Sequence, residues 1–285
     1  MGQQEIIAFG VEPSQAKYRL RLARYPSLVE SLKRFLNDFN NRQSITDNQQ
    51  YNVLDVGVGN GRTFKYAQAS GIADRFSWYG VDLYRFPPES RAGGEKWSIE
   101  IANIEYGLPY PDGYFDIVIA EQILEHVHNV DFVISELSRV TKQGGRLIIG
   151  VPIFICPVAA LRNLYVKKFP RLFEKSGSSH IQTFCKKSIT ERLESNGSFK
   201  VMDTKGFRII SGGILRPLEN YLWWYRLSCW AGKLFPSLCI EIQMVVEKRL
   251  ITSGCTATAF PPLRSSKPAR EPQRSMPAGF GSYSL

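Results

Sequence analysis

Apolar residues recur at helical spacing near the start of the chain. Leu28, Leu32, Phe35, Leu36 and Phe39 fall on one face of residues 15–40, with polar residues between them. The pattern predicts an amphipathic helix, so that 1–44 form an N-terminal helical segment. A polar stretch over 41–50 then leads into a different rhythm. Short apolar runs at 52–56, 78–81, 115–120, 146–151, 199–206 and 240–247 alternate with helical stretches, among them 62–70, 130–141 and 188–196. Strands apolar on both faces and separated by helices predict an α/β fold: a doubly wound, mainly parallel sheet of about seven strands, with helices on both faces. This domain is expected over 45–250. Beyond it, 251–285 are rich in proline, glycine and serine and poor in large aliphatics, which predicts a disordered tail.

Composition supports a packed core, with 44% hydrophobic and 12% aromatic residues in a chain of 285. Lysine plus arginine number 36 against 26 aspartate plus glutamate, a net charge of +10 that suits anionic partners and also plain solubility. The cysteines, Cys156, Cys185, Cys229, Cys239 and Cys255, are odd in number and never spaced C-x-x-C. Neither a zinc knuckle nor a disulfide framework is expected, and a reducing, cytoplasmic compartment fits. The longest apolar run, 153–161, is broken by Pro157 and is too short to cross a bilayer. The first residues lack the apolar core of a signal peptide, and Ile6 stands where myristoylation after Gly2 needs Ser or Thr.

The most informative turn is Val53-Leu54-Asp55-Val56-Gly57-Val58-Gly59-Asn60-Gly61-Arg62, an apolar strand running through alternate glycines into a helix. Glycines leave no Cβ in the way of a ligand, so a nucleoside can lie against the end of the strand. The spacing is G-x-G-x-G, with Arg62 where a dinucleotide fingerprint has its last glycine, and no G-K-[ST] follows for a phosphate loop. A purely structural tight turn is the alternative. The next strand ends at Asp82, 23 residues after Gly59, near the offset at which a carboxylate meets ribose hydroxyls; alone, it also reads as a solvent-facing strand end.

Three blocks then coincide: 53–62, 80–82, and the run Asn103-Ile104-Glu105-Tyr106-Gly107-Leu108-Pro109-Tyr110-Pro111-Asp112-Gly113-Tyr114-Phe115-Asp116, followed by Glu121-Gln122-Ile123-Leu124-Glu125-His126-Val127. Together they resemble the class I S-adenosylmethionine-dependent methyltransferases of the small-molecule, ubiquinone/menaquinone-biosynthesis-like type, over roughly 45–250. The resemblance implies a Rossmann-like domain that transfers a methyl group from S-adenosylmethionine to a small-molecule acceptor. It implies that Asp55, Gly57, Gly59 and Gly61 cradle the methionine part of that cofactor and that Asp82 holds its ribose. Asn103 and Ile104 are expected beside the adenine, with asparagine where relatives often carry aspartate, and Glu121 beside the methionine moiety and the transfer site.

A sulfonium already activates its methyl group, so the protein's main task is to align the acceptor and exclude water. Where a hydroxyl must lose its proton, histidine is the natural base because it exchanges protons near neutral pH. His126 and His180 are the candidates; each also reads as a histidine that caps or packs a helix, and His128 reads as a surface residue. Some relatives hold a divalent metal through E-x-x-E-H. Here the pattern is Gln122-Ile123-Leu124-Glu125-His126, with an uncharged first position, so no metal is expected.

Two apolar cap segments are expected, 153–175 and 206–238. The first carries five basic residues, Arg162, Lys167, Lys168, Arg171 and Lys175, against Glu174. In the second, Leu218, Leu222, Tyr225 and Cys229 form one helical face and Trp223, Leu227, Trp230 and Leu234 another. Such a helix is buried under the sheet, walls an apolar acceptor pocket, or meets a membrane interface. The last two suit an apolar or lipid-linked acceptor and peripheral membrane contact. Nucleic acid is not expected as the substrate, because Ala120-Glu121-Gln122-Ile123 stands in place of [ND]-P-P-[YF]. An RNA or protein methyltransferase, and a cofactor-binding protein without catalysis, remain the rival readings.

Overall fold

The computed structural model describes residues 22–42, 50–84, 97–168, 181–195, 198–209, 217–218 and 221–250. Helix α1 (Arg24–Arg42) leads to β1 (Tyr51–Val56), α2 (Arg62–Ala69), β2 (Phe76–Asp82), β3 (Trp97–Ile101), β4 (Phe115–Glu121) and α3 (Val130–Val140). Then come β5 (Thr141–Pro152), α4 (Cys156–Lys168), α5 (Lys186–Ser195), β6 (Phe199–Ile209), α6 (Leu222–Leu234) and β7 (Cys239–Lys248). The strands make one seven-stranded sheet in the order β3-β2-β1-β4-β5-β7-β6. Pairing is parallel from β3 to β5, and β7 runs antiparallel to both β5 and β6.

Both faces are covered because both parities of the central strands are apolar. Leu54, Val118, Ala120, Leu147 and Ile149 pack under Val133 and Leu137 of α3 and Ile189 and Leu193 of α5. Their neighbours Val53, Ile117, Ile119 and Ile148 pack under Leu28, Leu32 and Phe35 of α1 and Phe64 of α2. The strand β3 has no apolar run to announce it: only Trp97 is buried, and the rest lies half-exposed or exposed at the sheet edge. The predicted cap 206–238 begins inside a strand, since β6 continues to Ile209. The predicted tail, 251–285, lies outside the described residues.

The Leu108 to Asp116 run is held by one side chain of α3. Arg139 donates to the carbonyls of Leu108 (2.9 Å) and Tyr110 (2.8 Å) and to the carboxylate of Asp112 (2.7 Å), and Glu136 anchors its guanidinium. Asp116 in turn accepts from the amide of Asn52 (2.9 Å) and from Lys142 (2.7 Å), which locks β4 beside β1.

One expectation is overturned. Cys156 and Cys185 form a disulfide across 29 residues, their Cα atoms 5.0 Å apart. Scattered cysteines carry no spacing signature for this pair; the fold joins them by pairing Ile153 with Phe184 in a parallel bridge just before α4 and α5. The cysteine argument for a reducing compartment therefore lapses.

Candidate functional site

β1 ends in the glycine turn, and the backbone there leaves the ordinary range at once. Gly57 and Gly59 have φ of 77° and 52°, left-handed values that side-chain-bearing residues avoid. The two glycines serve different ends. A Cβ on Gly57 would collide with Ile123, which seals the turn from the β4 side, whereas a Cβ on Gly59 would meet no atom of the described residues within 4 Å. Gly59 thus presents bare backbone to an open face, the shape of a cradle that a side chain would fill. Gly61, at the same turn, caps the start of α2.

Asp82 closes the cradle. Its Oδ2 accepts from the amide of Gly59 at 2.8 Å, and its Oδ1 accepts from the amide of Tyr84 at 3.2 Å. The carboxylate is fixed by backbone donors while its remaining lone pairs are available to hydroxyls. Asp55, 3% exposed, lies beneath the turn, hydrogen-bonded to the Thr63 side chain of α2. Burial pushes its pKa up to about 8, against the Thr63 hydrogen bond and with help from Glu121 and Asp82. The residues predicted at the adenine end stand differently. Asn103 accepts the amide of Glu105 on its Oδ1 (2.9 Å), capping the short turn Ile104–Tyr106, and the Ile104 side chain is part of the core. What this corner offers a base is the second lone pair of Asn103, its amide donors and main chain.

The far wall is the segment after β4. Glu121 is buried, accepts from Gln243 at 2.5 Å, and lies 3.7 Å from the guanidinium of Arg24 in α1. Arg24 also pairs with Glu241 of β7 (3.3 Å), and Arg208 of β6 completes the chain (2.8 Å to Glu241). Burial pushes Glu121 up to about 7 despite Arg24. Next to it, Gln122 holds φ of 57° and has a buried Nε2 without a hydrogen-bond partner. Glu125 is 0% exposed, neither carboxylate oxygen has a hydrogen-bond partner among the described residues, and burial pushes its pKa up to about 8. Strained backbone and unmet polar atoms thus coincide in one short segment.

His126 follows at the rim, its side chain 38% exposed and its Nε2 3.9 Å from Glu125. His128 is a surface residue that pairs with Glu105 (3.1 Å). His180 lies outside the described residues. Among the described residues no three His, Cys, Asp or Glu side chains are grouped to hold a metal ion.

The structure brings Asp55, Gly57, Gly59, Gly61, Asp82, Glu121 and His126 to the carboxyl ends of β1, β2 and β4. Sequence reasoning missed Arg24, Glu241 and Gln243. The alternation Glu241, Gln243 among the apolar residues of the first part of β7 was a legible signal of two polar groups on one buried face. Arg24 carries no such signal, because its partner is supplied only by packing.

Residues 54–149 match the family model described as a methyltransferase domain. The chain is 38% identical over 101 residues to demethylmenaquinone methyltransferase from Thermobifida fusca, covering 34% of this chain and 42% of that protein. It is 32% identical over 106 residues to 27-O-demethylrifamycin SV methyltransferase from Amycolatopsis mediterranei, covering 34% of this chain and 37% of that one. In each case the match spans less than half the relative's length. A solved structure assigned as a sarcosine dimethylglycine methyltransferase from Galdieria sulphuraria superposes with a TM-score of 0.51 at 14% identity, covering 80% of this chain and 86% of that one, a likeness of fold. Sheet order and glycine turn accompany that match: residues 54–149 form a methyltransferase domain.

Proposed function

We propose that this protein transfers the methyl group of S-adenosylmethionine to a small-molecule acceptor that is apolar or lipid-linked. The observation that carries the cofactor half of the reading is the Asp82 carboxylate held by the Gly59 amide at 2.8 Å beside an open backbone face; the acceptor half rests on the exposed apolar residues of α4 and α6. That pairing supplies acceptors for a ribose and steric room for the chain attached to it. Gly57 and Gly59 approach the methionine part, Asp55 braces the turn through Thr63, and Asn103 and Ile104 border the adenine. Glu121 and Ile123 wall the cradle opposite.

When bound, the cofactor supplies an electrophilic methyl on a sulfonium. The chain's own work is then to hold the acceptor in line, to exclude water, and to take a proton where the acceptor carries one. His126 stands at the rim for that last role, with the Glu125 carboxylate behind it. No metal enters this reading, because Gln122 offers a neutral amide where a hard cation wants a carboxylate.

The test is transfer of radiolabelled methyl from S-adenosylmethionine into a fractionated extract. Label in the small-molecule or lipid fraction is expected. Label confined to RNA or protein overturns the acceptor class, and no transfer with tight cofactor binding overturns catalysis.

A further inference from the structure

Helix α6 is built inside out. The large apolar residues Trp223, Leu227, Trp230 and Leu234 stand at i, i+4, i+7 and i+11 and so form one stripe. That stripe faces outward: the four side chains are 55%, 43%, 60% and 54% exposed. The buried flank consists instead of Ser228, Ala231 and Gly232, and a Cβ on Gly232 would overlap the carbonyl of Gly206 in β6. Small residues let the helix lie against the strand, while the residues with most to gain from burial point away. A helix stabilised by ordinary core packing has the opposite arrangement. The apolar surface continues past the helix through Phe235 and Leu238, and α4 adds Leu161 and Leu164, 68% and 64% exposed. A cavity of about 410 Å³ lies between the two regions, with Phe154, Ile155 and Leu238 in its walls and Lys186 and Lys187 at its edge.

Charge and composition say what covers this surface. Helix α6 has no acidic residue, and its exposed Arg226 and Lys233 flank the stripe on one side. Tryptophan beside aliphatics, with cations along the margin, is the combination that partitions into the headgroup region of a bilayer. The net charge of +10 adds attraction to an anionic leaflet. Position agrees as well. β6 leaves the sheet at Ile209 and β7 re-enters opposite it at Cys239, at the end where Glu121 pairs with Gly150. The apolar face is therefore tethered at the end of the sheet that carries the cofactor cradle.

We propose that the outward face of α6 docks on an anionic lipid bilayer and brings the cradle end of the sheet to that surface. The inference rests on the proposed transfer to an apolar acceptor and names the partner from which the acceptor is taken. Docking itself requires no methyl transfer.

The test uses the full chain and two kinds of vesicle, phosphatidylcholine alone and phosphatidylcholine with phosphatidylglycerol, read by co-sedimentation. The protein should sediment with the anionic vesicles and leave them as salt is raised. Trp223→Ser with Trp230→Ser should weaken partition by at least about tenfold, and Arg226→Glu with Lys233→Glu by about tenfold on the anionic vesicles alone. All these residues are exposed, and calorimetry with S-adenosylmethionine checks that each variant keeps its cradle. A wild-type protein that ignores both vesicles overturns the proposal, as does a serine pair that binds like wild type. So does sedimentation of the wild type as a dimer that the serine pair converts to monomer, which assigns the face to a second copy. Absent cofactor binding with intact vesicle binding overturns the proposed activity and leaves the docking face standing.

Discussion

The amide of Gly59 donates to Oδ2 of Asp82 at 2.8 Å, so the glycine turn after β1 and the carboxylate ending β2 form one rigid unit. Each holds the other in place, and the two predict different consequences when altered.

Asp82→Ala removes a charged acceptor for the ribose and frees the turn. Loss of a hydrogen bond to a charged group costs about 1.5–3 kcal/mol, so affinity for S-adenosylmethionine should fall roughly ten- to a hundredfold in calorimetry. Gly59→Ala meets no atom of the described residues, and should lower stability only by the left-handed penalty of about 1–2 kcal/mol. Its cofactor affinity should nevertheless collapse, because the new methyl group occupies the open face. Equal losses of stability and affinity would argue that Gly59 serves the fold alone.

Stability should fall as pH rises through neutrality. Asp55 and Glu125 are pushed up to about 8 and Glu121 to about 7 by burial. In the unfolded chain these carboxyls titrate at about 4. Between those limits the native state holds protons that the unfolded chain has released, so raising the pH favours unfolding. Urea melts from pH 5 to pH 8.5 should show this decline, and Glu125→Gln should flatten it by raising stability most at the alkaline end. An unchanged slope in Glu125→Gln places the titration elsewhere.

Arg24 ties α1 to the site through Glu121 and Glu241. Arg24→Met takes the cation from the Glu121 side chain, which keeps its Gln243 hydrogen bond, and leaves Glu241 to Arg208, at a cost of about 3 kcal/mol in chemical denaturation. Adding Glu121→Gln should recover part of that loss. A double variant no better than Arg24→Met indicates that the guanidinium acts through Glu241 only.

His126→Ala should leave cofactor affinity intact while lowering kcat by about a hundredfold, the lower range for removal of a general base. An unaltered kcat reduces catalysis to alignment of the acceptor. EDTA should leave the rate unchanged; if it stops turnover and Mg²⁺ restores it, Glu125 and His126 become metal ligands in spite of Gln122.

By itself the sequence determined most of the sheet and the glycine turn that ends β1. The central strands are apolar at both parities, which two helical layers alone can satisfy, and the glycine turn and Asp82 occur in an order that local chain geometry turns into a cradle. β3 stayed hidden because a half-exposed edge strand has no apolar run. Only the tertiary structure decided what depends on partners distant in the chain. Arg24 reaches Glu121 across the packed layer, and Cys156 meets Cys185 because the isolated Ile153–Phe184 bridge brings the starts of α4 and α5 together. The unmet oxygens of Glu125 are visible only once its surroundings are assembled. The sequence showed that α6 is apolar on two faces and left open which one is buried. The bare Gly206 and Gly232 contact seated instead a third flank, the small residues Ser228, Ala231 and Gly232, and turned the tryptophans outward.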